Sequence, residues 1–198
     1  AKFEEPPAST LDKEIAILGF FRVASSLVLD IHREKNEDSL KDKIVVVDFN
    51  QAVHEKLREY GVPAVYGDIA HVDTLHHIGL HDTKIAVSTI PDNILVGTNN
   101  TKLVKQIQDI APHAKIVVTA ENPQSALKMY EAGADYVFLP RMLASQHLVP
   151  VLRDMLAAED TNASSKSAKE AQKKAKARLE KLREAEIAHL KMRTEIIR

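Results

Sequence analysis

A short apolar run ending at Leu18 is followed by Gly19-Phe20-Phe21-Arg22-Val23-Ala24, the residues with the clearest chemistry in this 198-residue chain. Against the fingerprint G-x-G-x-x-G/A, Gly19 holds the first position and Ala24 the last, while Phe21 stands where the middle glycine belongs. The first glycine makes the tight turn from strand to helix, and the last small residue lets that helix pack on a sheet. The middle glycine lets a pyrophosphate approach the backbone, and a phenylalanine there obstructs that path unless its ring turns away. Arg22 adds a guanidinium to the amide donors of a helix N-terminus, which already form an anion site.

Further candidates follow at the ends of other short apolar runs. Asp48 closes Val45-Val46-Val47 and lies 24 residues beyond Ala24, close to where a dinucleotide fold places the acid that accepts from ribose hydroxyls. Asp48 or Asn50 could equally cap a helix beginning near Gln51. A carboxylate in this position opposes a 2′-phosphate, so NADP is disfavoured. Tyr66-Gly67-Asp68-Ile69 brings a second carboxylate, and Ser88-Thr89 brings small hydroxyls ahead of Ile90-Pro91-Asp92-Asn93. Glu121-Asn122 suits either a ligand rim or the cap of a helix starting near Pro123, and capping is the favoured reading.

Placing these groups on one rim requires a particular scaffold. Six β-branched apolar runs, at 14–18, 43–47, 63–66, 84–88, 115–119 and 135–139, are too short for helices. Four have apolar centres without alternation, as in strands covered on both faces. Stretches with helical spacing lie between them, such as Val23, Leu27 and Ile31, then Val53, Leu57 and Tyr60, then Leu95, Leu103, Ile107 and Ile110. The alternation predicts an α/β fold, a Rossmann-like, doubly wound, parallel six-stranded sheet, with its ligand at the carboxyl ends of the strands. In 142–156, Pro150 predicts a kink or a division of that helix.

Composition narrows the function. Without cysteine there is no disulfide framework, thiolate metal site or cysteine nucleophile. No run approaches the length of a membrane span, and the opening Ala1-Lys2-Phe3 suggests a piece of something longer. Residues 1–158 carry 16 basic and 21 acidic side chains, net −5, and residues 159–198 carry 11 and 7, net +4. The predicted organisation is a linker over 1–12, a globular domain over 13–157 and a charged helical tail over 158–198. The tail's thin stripe, Ala168, Ala171, Ala175, Leu179, Leu182, then Ala185, Leu190 and Ile197, fits a partner-helix contact, with an unstructured tail and a membrane or nucleic-acid contact as alternatives. His71, His76, His77 and His81 have no recognised metal-ligand spacing and read as solvated or capping residues, with some pH sensitivity open to them. The strand-helix units use up the chain before a substrate domain could be built, so no enzyme is expected.

The segments ILGFFRVA, VVVDFN, VYGDIAHVDTL, IAVSTIPDN, IVVTAENP and AGADYVFLPRMLAS resemble the N-terminal subdomain of RCK (KTN) domains over about residues 13–157. Within that family they are most similar to the cytosolic domains of Kef-like cation/proton antiporters. The resemblance implies a homodimer that binds an adenine nucleotide and biases the gate of a potassium or sodium transporter. Such a domain sits on the cytoplasmic face of a membrane, joined to the membrane transport domain of the same protein. By motif position, Gly19, Phe20, Phe21, Arg22 and Val23 would form the phosphate loop, and Asp48 would hold the ribose beside Phe49 and Asn50. Gly67, Asp68 and Ile69 would flank the adenine, and Ser88 and Thr89 would close the rim. The family usually has glycine at Phe21, so AMP, ADP or ATP is expected in preference to NAD or NADH; the Asp48 charge disfavours NADPH, and the net charge of −1 argues against nucleic acid. The alternative is a dimeric scaffold whose nucleotide site has decayed.

Overall fold

The computed structural model describes residues 13–34, 38–160 and 165–196, so the predicted linker over 1–12 and Ile197 lie outside the described residues. Contacts divide the chain into two units, Ala1–Pro140 and Arg141–Arg198.

In the first unit the strands are β1 (Ile15–Leu18), β2 (Ile44–Asp48), β3 (Ala64–Tyr66), β4 (Ile85–Ser88), β5 (Lys115–Thr119) and β6 (Tyr136–Phe138). The helices are α1 (Arg22–Arg33), α2 (Gln51–Glu59), α3 (Val72–His77), α4 (Asn100–Ile110) and α5 (Pro123–Glu131). All pairings are parallel in the order β3-β2-β1-β4-β5-β6, the predicted doubly wound sheet. Strand order reverses between β1 and β4, which opens a crevice above their carboxyl ends.

The two faces of the sheet are read directly from the strands. Ile17, Ile44 and Val46 pack with Ala24, Val28 and Ile31 of α1 and Leu57 of α2. Their neighbours Ala16, Leu18, Val45 and Val47 pack on the other face with Leu75 of α3, Leu103 and Ile107 of α4, and Met129 of α5. Both faces are apolar because both are covered, which is why β2 is buried at every position. Each fully buried leucine contributes about 2 kcal/mol relative to exposure.

Polar caps settle where the helices begin. Asn50, not Asp48, caps α2 by accepting from Ala52 N at 3.0 Å. Asn99 caps α4 through Lys102 N, and Asn122 caps α5 through Ser125 N with Pro123 in the first turn. Asn122 is thus committed to capping, the reading favoured from sequence.

At the amino-terminal end of the sheet Asp135 accepts from Lys115 Nζ and from Ile116 N, both at 2.8 Å. The Lys115 hydrogen bond first, then the Ile116 amide, hold its carboxyl below the usual carboxylate range. A depressed folded-state pKa stabilises the protein above the unfolded value, and that stability is lost as pH falls through the folded value. Asp135→Asn should therefore destabilise by about 1 kcal/mol near neutrality, given the exposure of the pair. It should also flatten the acid limb of stability against pH, as read by urea unfolding at a series of pH values.

The second unit consists of α6 (Pro140–Ala158) and α7 (Lys166–Ile196). The helix passes through Pro150 without division, contrary to a break there. One hydrogen bond is forfeited at that position, but the turns on both sides remain helical. Arg178 forms a bidentate pair with Asp154, Nε donating to Oδ2 at 2.8 Å and Nη2 to Oδ1. Gln172 donates to the carbonyls of Ala158 and Asp160. Met142, Leu148, Val149, Leu152, Met155 and Leu156 remain exposed along α6.

Candidate functional site

β1 delivers its chain to Gly19, whose φ of 81° lies in the left-handed region where a side chain is strained. Gly19 N donates to Val47 O at 2.7 Å, drawing the turn onto the end of β2. A Cβ at Gly19 would lie 2.1 Å from Ile90 Cδ1. The turn therefore needs glycine for its torsion, and a side chain there would also displace the end of Ile90.

Phe21 follows as the N-cap of α1, extended and with no side-chain cap bond, and the first turn of α1 has no acidic residue. The amides at this helix start have no intrahelical acceptor, and the positive end of the helix favours an anion there. The Arg22 side chain is exposed, with its guanidinium carbon 5.4 Å from the centroid of the Phe21 ring.

Asp48 is the junction of three strand ends. Its Oδ2 accepts from Phe20 N at 2.7 Å and its Oδ1 from Asn50 N at 2.8 Å. Its carbonyl accepts from Gly67 N at 3.2 Å and lies 2.7 Å from His54 Nε2. Only 9% of the residue is exposed. Each carboxylate oxygen accepts more than one hydrogen bond, so capacity remains for a hydroxyl of a ligand.

Beyond β3, Gly67 packs so closely that a Cβ would sit 2.8 Å from Thr74 Cγ2. Asp68 Oδ1 accepts from Ala70 N at 2.9 Å, and its Oδ2 lies 3.5 Å from His71 Nε2. Ile69 is buried, whereas Phe49 stands 62% exposed above the end of β2.

These residues enclose a cleft of about 630 Å³, within the range of small-molecule sites. Of the residues expected from sequence, Gly19, Phe20, Phe21, Asp48, Phe49, Asn50, Gly67, Asp68 and Ile69 line it. Arg22 and Val23 sit at the start of α1 outside the lining, and so do Ser88 and Thr89. Ser88 and Thr89 are buried, and their hydroxyls have no hydrogen-bond partner among the described residues.

The far wall comes instead from the segment after β4, through Ile90, Ile94, Leu95, Val96 and Gly97. Asp92 Oδ1 pins this segment by accepting from Asn100 N at 2.7 Å and Asn100 Nδ2 at 2.8 Å. Asn100 Nδ2 also donates to Ile90 O. Ile94 and Val96 are nevertheless well exposed. The cleft thus has two carboxylates and a helix N-terminus on one side and an apolar wall on the other. The sequence signal for that wall is a set of aliphatic residues between Pro91 and Gly97, too polar in its surroundings for a strand and too short for a helix.

The histidines are dispersed: His71 precedes α3 at the cleft, His76 and His77 lie in its last turn, and His81 pairs with Asp82. Among the described residues no three His, Asp or Glu side chains gather to hold a metal ion, and no helix is long and apolar enough to cross a membrane.

The chain is 26% identical over 93 residues to the glutathione-regulated potassium-efflux system protein KefC of Escherichia coli. That match takes in 47% of this chain but 14% of KefC, so the chain spans a small part of the length of that relative. Among solved structures it is similar to the TrkA-N domain of the inner membrane protein YbaL of Escherichia coli, with a TM-score of 0.58 at 22% identity, covering 71% of this chain and 96% of that one. It is also similar to GsuK bound to ADP, with a TM-score of 0.52 at 19% identity, covering 80% of this chain and 37% of that one. The GsuK channel bound to NAD gives 0.51 at 19% identity, covering 77% and 24%. At these identities the likeness establishes the fold. Residues 15–140 match the model of the TrkA-N domain, the N-terminal part of RCK domains, and the chain belongs to that family.

Proposed function

We propose that residues 13–157 are a regulatory domain of a cation/proton antiporter that binds an adenine nucleotide and gates potassium or sodium transport, with 158–198 as a helical appendage. The observation that carries this reading is the cleft at the switch point, where Asp48 ties the Gly19 turn to β2 beside the open N-terminus of α1. In it Asp48 accepts from the ribose, Asp68 and Ile69 flank the adenine, and the amides of Arg22 and Val23 with the Arg22 guanidinium take the phosphate. Ser88 and Thr89 support the rim from below. The similarity to KefC and to channel domains solved with ADP and with NAD supports both the ligand class and the link to ion movement.

Phe21 on the cleft wall favours AMP, ADP or ATP over NAD or NADH, because a second phosphate must pass its ring. Asp48 opposes the 2′-phosphate of NADPH. Phe21→Gly should raise NADH affinity about tenfold relative to AMP in calorimetric titration, one tenfold step being about 1.4 kcal/mol. An unchanged ratio of the two affinities would remove Phe21 as the selector.

The apolar stripe of α6 supports a homodimer, and gating follows if nucleotide binds one dimer arrangement better than the other. Leu152→Glu should convert dimer to monomer in sedimentation velocity, since it sets a charge in an apolar contact. A monomeric parent chain would defeat this part of the reading. The domain is placed on the cytoplasmic face of a membrane, joined to the transport domain of the same protein, and its role is sensing without catalysis. Because backbone amides already take one bond from each Asp48 oxygen, the second reading is a dimeric scaffold with a decayed site, distinguished by an absence of nucleotide binding.

A further inference from the structure

Residues 165–183 hold eight basic and two acidic side chains, net +6. Arg178 is engaged by Asp154 and Lys174 by Glu170 at 2.9 Å. Lys166, Lys169, Lys173, Lys176, Lys181 and Arg183 are all exposed. At 3.6 residues per turn, positions 169, 173, 176 and 183 fall along one side of α7, interrupted by Glu180. The adjacent side, a little over a quarter of the circumference away, is taken up within the unit, with Ala175 fully buried and Leu179 and Leu182 sharing a groove with Val151 of α6. The α6 contact thus leaves this side of α7 exposed, and it carries cations over about 21 Å of helix length.

A long, nearly straight line of exposed cations fits an extended anionic surface better than a compact anion. Residues 165–198 contain no Phe, Tyr or Trp, so the helix lacks the rings that stack on bases, and its exposed large apolar side chains, Ile187 and Leu190, lie beyond the basic stretch. The basic stretch itself makes contact at the level of lipid headgroups, driven by charge. We propose that the basic side of α7 rests on an anionic phospholipid bilayer; this rests on the reading of the chain as part of a membrane transporter.

The test is sedimentation of the 198-residue chain with vesicles of phosphatidylcholine alone or with about a quarter phosphatidylglycerol. The expected result is binding to the anionic vesicles only, lost on raising salt because the contact is screened. Each cation near such a surface contributes about a fivefold factor, so the triple variant Lys169→Gln, Lys173→Gln, Lys176→Gln should weaken partitioning roughly 100-fold. Helicity by circular dichroism should be unchanged, since Gln and Lys have similar helix propensities. Equal binding to both vesicle types, an unaffected triple variant, or tighter retention on a DNA duplex at the same salt would each overturn the assignment. Nucleotide titration of the same sample reads the cleft separately. Vesicle binding without nucleotide binding strikes the sensing reading alone, and the reverse strikes only this one.

Discussion

Asp48→Ala is expected to weaken adenine-nucleotide binding at least 100-fold while the sheet still folds. The carboxylate supplies the ribose acceptor and also holds Phe20 N and Asn50 N, so its removal loosens the phosphate turn at the same stroke. Hydrogen bonds to a charged group contribute about 1.5–3 kcal/mol each. Loss of the ligand bond together with the preorganised turn accounts for a factor of that size. The stability cost should be about 1–3 kcal/mol, since two amides lose their acceptor in a largely buried place. Asp48→Asn separates the two effects, because the amide oxygen can still accept from one backbone N–H. It should recover part of the stability and little of the affinity. Calorimetry paired with urea unfolding of the three proteins checks this, and undiminished affinity in the alanine variant would remove Asp48 from the site.

Gly19→Ala carries the second large effect, on fold and cleft together. Its φ of 81° costs an L-residue about 1–2 kcal/mol. The new methyl, 2.1 Å from Ile90 Cδ1, must also push the Ile90 side chain from its seat. Ile90 can turn aside, but it lines the cleft and packs against the core on that face of the sheet. The expected loss is about 2–3 kcal/mol of stability, with nucleotide binding reduced below detection. Combining Gly19→Ala with Ile90→Ala should restore the packing part and leave the torsional part, a non-additivity that a double-mutant cycle reads. Strict additivity would mean that the two groups do not meet.

The fold was legible because its evidence is local. Val45, Val46 and Val47 are apolar without alternation since each looks into one of two covered faces, and that pattern needs no knowledge of neighbours. Gly19 and Asp48 were legible for a related reason. A ligand crevice lies where strands end, and both residues follow strands directly.

Ser88 and Thr89 show the limit of that inference. Their types suit a polar rim, yet Ser88 shares a face of β4 with the core residue Ala86, so alternation turns it into the interior. The wall of Ile94, Leu95 and Val96 was misplaced because Leu95 reads at helical spacing with Leu103, yet α4 begins only at Asn100, where Asp92 meets Asn100 across eight positions in a contact with no periodicity. At Pro150 only the expected division fails: proline marks a lost hydrogen bond, but the flanking turns of α6 carry the helix through.

The account stands or falls on the cleft's ligand. Calorimetric titration of the 198-residue chain with AMP, ADP, ATP, NAD, NADH and NADPH tests it most directly. It predicts saturable binding of the mononucleotides, weaker binding of NAD and NADH, and none of NADPH; a folded protein that takes up none of the six would contradict it.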